Sequence, residues 1–140
     1  MANAYINLYT GTVTAGGTDG TAVSTGDTET SPVSVTLNAT KAETAIVKCA
    51  LRCETGYKTS GDTKTTFTGT STAKWQVAAD NNYADATAAA AATFATSLTI
   101  STAIDATNKV VWLKALSSAD ESPANDTGTD LQVACTVVKV

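Results

Sequence analysis

Apolar and polar residues alternate with period two along most of the chain, in short runs set apart by clusters of Gly, Asp, Asn, Ser and Thr. This is the signature of half-buried β-strands. Ile6 and Leu8 share a face, with Asn7 opposite. Val33, Val35 and Leu37 alternate with Ser34, Thr36 and Asn38, which predicts a half-buried strand. Over residues 45–53, Val47, Cys49, Leu51 and Cys53 lie on one face, with Lys48, Arg52 and the following Glu54 among the residues outside. Between Tyr57 and Lys64, Ser60-Gly61-Asp62 reads as a turn. Thr65 and Phe67, then Trp75 and Val77, supply two more strands, broken near Gly69. Leu98, Ile100 and Ile104 resume the alternation, and Leu131, Val133, Cys135 and Val137 close the chain on one face. Val110–Leu116 is apolar on both faces, as a central strand covered on each side must be. About eight strands, with turn signals every 8–15 residues or so, predict an all-β fold, an antiparallel β-sandwich, with a barrel as the alternative.

Three segments depart from this rhythm. Residues 10–32 form a Gly/Thr-rich stretch with Val13 and Val23 as its only large apolar residues. Ordering a backbone costs about 1–2 kcal/mol per residue, so two valines are a weak anchor, and an extended arm or long loop is expected. Its glycines at 11, 16, 17, 20 and 26 leave the backbone bare for close approach to a partner. Thr12, Val13, Gly16, Gly17, Asp19, Gly20 and Val23 are therefore the candidate partner-contact residues, against the plainer reading of an ordinary surface loop. Residues 80–97 hold the turn signal Asp80-Asn81-Asn82 and an Ala-rich insertion whose only large apolar residue within Ala84–Ala95 is Phe94; a short helix and a loosely extended insertion both fit. Residues 120–130, with Pro123 and Asp126-Thr127-Gly128, read as a long polar loop.

Composition narrows the function more than it specifies one. At 140 residues the chain fits a single domain, 1–140, large enough to bury a core without disulfides or metals. There is no His, which removes the commonest general base near neutral pH, the commonest metal ligand and every Ser-His or Cys-His nucleophile. Three Cys are too few for a Cys₄ zinc site. The 13 Asp and Glu sit almost entirely in Thr/Ser/Gly/Asn surroundings, where nothing raises a carboxyl pKa as acid catalysis requires. A non-enzymatic protein without cofactor or metal is the expectation. Nine scattered Lys and Arg against a net charge of −4 exclude a nucleic-acid stripe. No run approaches the ~20 apolar residues of a membrane-spanning helix, and Met1-Ala2-Asn3-Ala4-Tyr5 lacks the basic and apolar regions of a signal peptide.

Other features have plain explanations. Cys49 and Cys53, four apart on one strand, stand roughly 13 Å apart and cannot pair; the three thiols read as free and buried, though pairing of either with Cys135 across the sandwich is geometrically open. The alternating Thr66, Thr68, Thr70 and Thr72 is ordinary β-propensity rather than an ice-binding array. Asp120, Glu121, Asp126 and Asp130 lack EF-hand spacing and read as a solvated turn. Tyr5, Tyr9, Tyr57, Tyr83, Trp75 and Trp112 could line a sugar-binding face, but both tryptophans sit in apolar strands and read as core.

The strand VVWLKAL, the loop SSADESPANDTGTD and the closing strand LQVACTVV resemble the last two strands of a bacterial immunoglobulin-like sandwich. The opening NAYINLYTGTVTAGGTDGTAVS, the later SPVSVTL, the Gly16–Thr21 stretch and the GYxTSGDT turn at Gly56–Thr63 are similar to small structural proteins of phages and prophages of Gram-positive hosts. The resemblance covers most of the chain but leaves out residues 84–95. It implies an immunoglobulin-like sandwich of about 7–9 strands and a virion component. The expectation is a capsid decoration protein on the outer face of the head, assembled in the bacterial host cytoplasm and bound to the major capsid protein or another virion protein. Self-association on the particle is left open, with no nucleic-acid or membrane partner. A tail or baseplate subunit is the alternative within this class, and a carbohydrate-binding β-sandwich module the rival outside it.

Overall fold

The computed structural model describes residues 4–24 and 32–140. Eight strands are present among them: β1 (Ile6–Thr10), β2 (Thr21–Val23), β3 (Thr44–Cys53), β4 (Tyr57–Gly69), β5 (Trp75–Ala79), β6 (Ser97–Ile100), β7 (Lys109–Leu116) and β8 (Thr129–Lys139). They form two antiparallel sheets, one ordered β2-β1-β3-β7-β5 and the other β6-β4-β8. Ile6, Leu8, Cys49, Leu51, Cys53, Val77, Val111 and Leu113 of the larger sheet build one apolar core with Ile100 and Ile104. Phe67, Leu98, Leu131, Val133 and Cys135 close it from the smaller sheet. The architecture is thus all-β, two sheets packed face to face around the apolar sides of alternating strands.

Residues Val110–Leu116 behave as their two-sided apolarity requires. Val111 and Leu113 enter the core between the sheets, while Val110 and Trp112 face the other way and are equally buried. What covers them is the Ala-rich insertion. Asp85 caps a one-turn helix, α1 (Ala86–Ala89), by accepting the Ala88 N–H at 2.8 Å. Ala89, Tyr83 and Phe94 then pack on Val110, Trp112 and Ile46 as a second, smaller cluster on the outer face of the larger sheet. The Trp112 indole N–H donates to Asp80 Oδ1 at 2.8 Å, so the buried ring keeps its polar contact.

Three expectations need correction. Ser60-Gly61-Asp62 does not end a strand: β4 runs through it as a bulge, with the register against β8 shifting between Ser60 and Lys64 and Gly61 at φ 75°. Residues 33–37 alternate between half-buried and exposed as predicted, yet they join no ladder among the described residues. Alternation reports which side is covered, and it does not require a hydrogen-bonded neighbour. Part of the Gly/Thr-rich stretch is regular structure, since β2 pairs with β1 from Thr10↔Thr21 to Leu8↔Val23; residues 25–31 of that stretch lie outside the described residues.

Candidate functional site

The connection between β1 and β2, residues 11–20, carries most of the predicted contact residues, and it is built into the body of the protein. Val13 is only 3% exposed. It packs beside Gly20, where φ is 111° and an added methyl would come within 2.6 Å of Val13 Cγ1 and 3.1 Å of Tyr9 Cβ. A residue with a side chain would lose both the backbone conformation and the space. The Gly17 N–H closes a turn on the Thr14 carbonyl at 2.9 Å. Gly16 N–H donates to the Asn108 carbonyl at 3.0 Å and Asn108 N–H to the Gly17 carbonyl at 2.8 Å, which joins the loop to the segment entering β7.

Three side chains lock this arrangement. The Asp19 carboxylate accepts the Thr14 N–H at 2.7 Å through Oδ1 and the Thr14 hydroxyl at 2.7 Å through Oδ2. The buried Asn108 amide donates to the Thr14 carbonyl at 3.1 Å, to the Asp19 carbonyl at 3.1 Å and to Asp19 Oδ1 at 2.9 Å. Arg52 Nη1 donates to Asn108 Oδ1 at 2.9 Å and to the Asp19 carbonyl at 3.0 Å. The guanidinium itself stacks 3.8 Å from the centre of the Tyr9 ring. The Thr14 backbone N–H and hydroxyl hold the Asp19 carboxyl below its ordinary pKa, so it stays ionised at neutral pH.

The expected partner-contact residues therefore divide. Thr12, Gly16 and Gly20 are exposed; Gly17, Asp19 and Val23 are half-buried and Val13 is buried, with Val23 packed on the core. A free arm is not what residues 10–24 form. The buried Val13 and the core-packed Val23 are joined by a polar anchor, supplied by Arg52 and Asn108 from far along the chain. Beside the loop, Ala15 and Gly16 form one wall of a cleft of about 320 Å³, whose other sides include Asp80, Asn82, Ile100 and Lys109. The loop thus presents a fixed outer ridge of hydroxyls and bare glycine backbone next to a shallow recess.

The other candidates are placed as follows. In the 117–128 loop, Lys74 bridges Glu121 and Asp126, and Asp126 also accepts the Ser71 hydroxyl at 2.7 Å and the Gly128 N–H at 3.1 Å. These acids strap the loop to the short 3-10 turn at 72–74 rather than standing in free solvent. Among the described residues no cluster of three or more His, Cys, Asp and Glu is placed to hold a metal. The aromatics are dispersed: Tyr5 pairs with Tyr57 at 4.6 Å between ring centres, Phe67 with Trp75 at 6.4 Å, and Tyr83 meets Trp112 edge-on. Trp112 is core and Trp75 packs half-buried against the core, as their apolar strands foretold. All three cysteines are free; Cys49 and Cys53 are buried and Cys135 half-buried. Burial pushes the Cys49 thiol up to about 12 and the Cys53 thiol up to about 11.

Comparison of the chain with protein-family models, with curated proteins and with solved structures finds no match.

Proposed function

We propose that this protein is a non-enzymatic structural component of a phage particle, an immunoglobulin-like module that decorates the outer face of the capsid and docks on the major capsid protein through the 11–20 loop. The observation that carries the reading is the preorganisation of that loop. Its inward groups are bound by Asn108, Arg52 and Asp19, while Thr12, Gly16, Thr18 and Gly20 face outward. A surface already held in one conformation has little ordering left to undergo on binding, which suits a module attached in many copies to a rigid lattice. The carboxyls favour the same reading. Asp19, Asp105, Glu121 and Asp126 are all held below their ordinary pKa by hydrogen-bond donors, the opposite of what a general acid requires. Particle membership itself rests on the sequence resemblance.

Mass spectrometry of separated heads and tails from purified particles tests this directly. The protein should be found with heads. Its presence on tails alone would overturn the decoration reading in favour of a tail or baseplate subunit, and its absence from particles would overturn the virion reading altogether.

A further inference from the structure

The two sheets end in four edges, and three of them are protected. β2 offers three residues and β6 four. The outer side of β5 is closed by Ala95, which exchanges two hydrogen bonds with Val77 at 2.8 and 3.0 Å. The fourth edge is different. β8 is an 11-residue strand that pairs, among the described residues, with β4 alone. It contains no Pro or Gly, its bulge lies on the β4 side, and its charges, Asp130 and Lys139, stand at its two ends. Long regular edges are usually blunted by short length, central charges or bulges, and β8 uses none of these.

The ladder shows which groups face outward. Thr70 N–H donates to the Gly128 carbonyl at one end of the β4–β8 pairing, and Val140 N–H to the Gly56 carbonyl at the other. In an antiparallel pair the bonded positions alternate, so the even-numbered residues of β8 turn their backbone toward β4. Leu131, Val133, Cys135, Val137 and Lys139 turn theirs to the open side. The same Leu131, Val133, Cys135 and Val137 side chains are half-buried, whereas Cys49, Leu51 and Cys53 of the central strand β3 and Val111 and Leu113 of β7 are fully buried. The core is thus less covered along the edge where, among the described residues, backbone donors and acceptors have no ladder partner. A row of main-chain donors and acceptors is satisfied best by another strand.

We infer that this edge pairs with β8 of a second copy of the chain, antiparallel about a two-fold axis at Ala134, joining the two three-stranded sheets into one of six strands. The sequence of the strand selects both partner and register. About Ala134 its central residue classes mirror each other: Val133 would face Cys135 of the other copy, Gln132 would face Thr136, and Leu131 would face Val137, with the unlike pairs Asp130–Val138 and Thr129–Lys139 confined to the two ends. This register overlaps the whole strand, matches apolar with apolar on the core side, and sets no like charges opposite each other. Shifting the axis to Cys135 would put Gln132 against Val138 and Leu131 against Lys139. The bonded positions are the odd residues on both copies, as the ladder requires, giving on the order of ten new main-chain hydrogen bonds. Ala134 falls at a non-bonded position, where opposing Cβ atoms approach to about 4.5–5.5 Å. The inference is independent of the particle reading.

Analytical ultracentrifugation of the purified protein tests it, with two variants on the exposed outer face of β8. The wild type should sediment at twice the monomer mass. Ala134→Lys, which places two like charges across the axis, should sediment as a monomer and keep the wild-type circular dichroism spectrum. Ala134→Cys should form a disulfide-linked dimer under mild oxidation in far higher yield than the wild type, whose native thiols serve as the control. A wild type that stays monomeric up to its solubility limit, an Ala134→Lys variant that remains dimeric, or an Ala134→Cys variant that crosslinks no better than the wild type would each overturn the inference.

Discussion

Replacing Asn108 by Ala removes the central fastener of the 11–20 loop without touching its exposed surface. The side chain is 5% exposed and bonds the Thr14 carbonyl, both the carbonyl and the carboxylate of Asp19, and the Arg52 guanidinium. A neutral hydrogen bond contributes roughly 1 kcal/mol net and one to a charged partner roughly 1.5–3 kcal/mol. Two bonds here have charged partners, and the amide's two hydrogens are shared among three acceptors, so the expected loss is about 3–5 kcal/mol. For a chain of this length about 3 °C accompanies each kcal/mol, and Tm should fall by roughly 10 °C. Since Asn108 N–H and C=O still bond Gly17 and Gly16, part of the loss should emerge as local opening, with new proteolytic cleavage between residues 11 and 20. Asn108→Asp keeps the shape but sets a second carboxylate against Asp19. It should cost more than Ala at neutral pH and recover as the pH falls toward about 4 and the introduced acid, its folded pKa raised, takes up a proton. A Tm within about 2 °C of wild type, together with no new cleavage, would refute the polar-anchor argument.

Glycine substitutions separate space from conformation. A methyl at Gly69, where φ is 112°, would overlap the Gly128 carbonyl, whereas at Gly61, where φ is 75°, it meets open space. Urea titration should give a loss of at least about 3 kcal/mol for Gly69→Ala and about 1 kcal/mol for Gly61→Ala; equal losses would contradict this. Burial raises all three thiol pKa values, but only Cys135 is half-buried while Cys49 and Cys53 are buried, so a thiol reagent should label Cys135 first and the other two only on unfolding; early labelling of Cys49 would be inconsistent with its burial. Because the unfolded thiols ionise at about 8.5 while the folded ones stay neutral, stability should decline from about that pH and level off only as pH passes the folded values of about 11 and about 12. Asp19, Asp105, Glu121 and Asp126 have the opposite sign: their folded pKa values are depressed, so their contribution is present above the ordinary carboxyl range and lost as pH falls through and below it. A urea midpoint that does not drop on acidification would argue against those hydrogen bonds.

Strand faces were legible in the sequence because a two-residue period needs no knowledge of neighbours. The inward sets Ile6/Leu8, Val47/Cys49/Leu51/Cys53 and Leu131/Val133/Cys135 all follow from it. So did the double coverage of Val110–Leu116, although the covering element could not be named from an alanine run with a single large apolar residue. Local chemistry was less decisive where one signal serves two structures: Gly61 with positive φ suits a strand bulge as well as a strand-ending turn. The anchorage of the loop was not legible for a different reason. Counting Val13 and Val23 measures only apolar anchorage, whereas Arg52 and Asn108 reach Asp19 across 33 and 89 residues of sequence. No local pattern announces that contact. A lone Arg on the solvent side of a strand and an Asn before one are individually unremarkable, and Tyr9, which supplies the ring under the guanidinium, reads as one more strand residue.

Co-sedimentation with undecorated heads of a phage whose genome carries this sequence puts the proposed contact to its most direct test. Wild-type protein should pellet with the shells and saturate at a fixed ratio to the lattice subunits. A Thr12→Lys, Thr18→Lys double variant, altered only at exposed loop positions, should melt as the wild type does and remain in the supernatant. A wild type that fails to pellet, or a double variant that pellets equally well, would contradict docking through this loop.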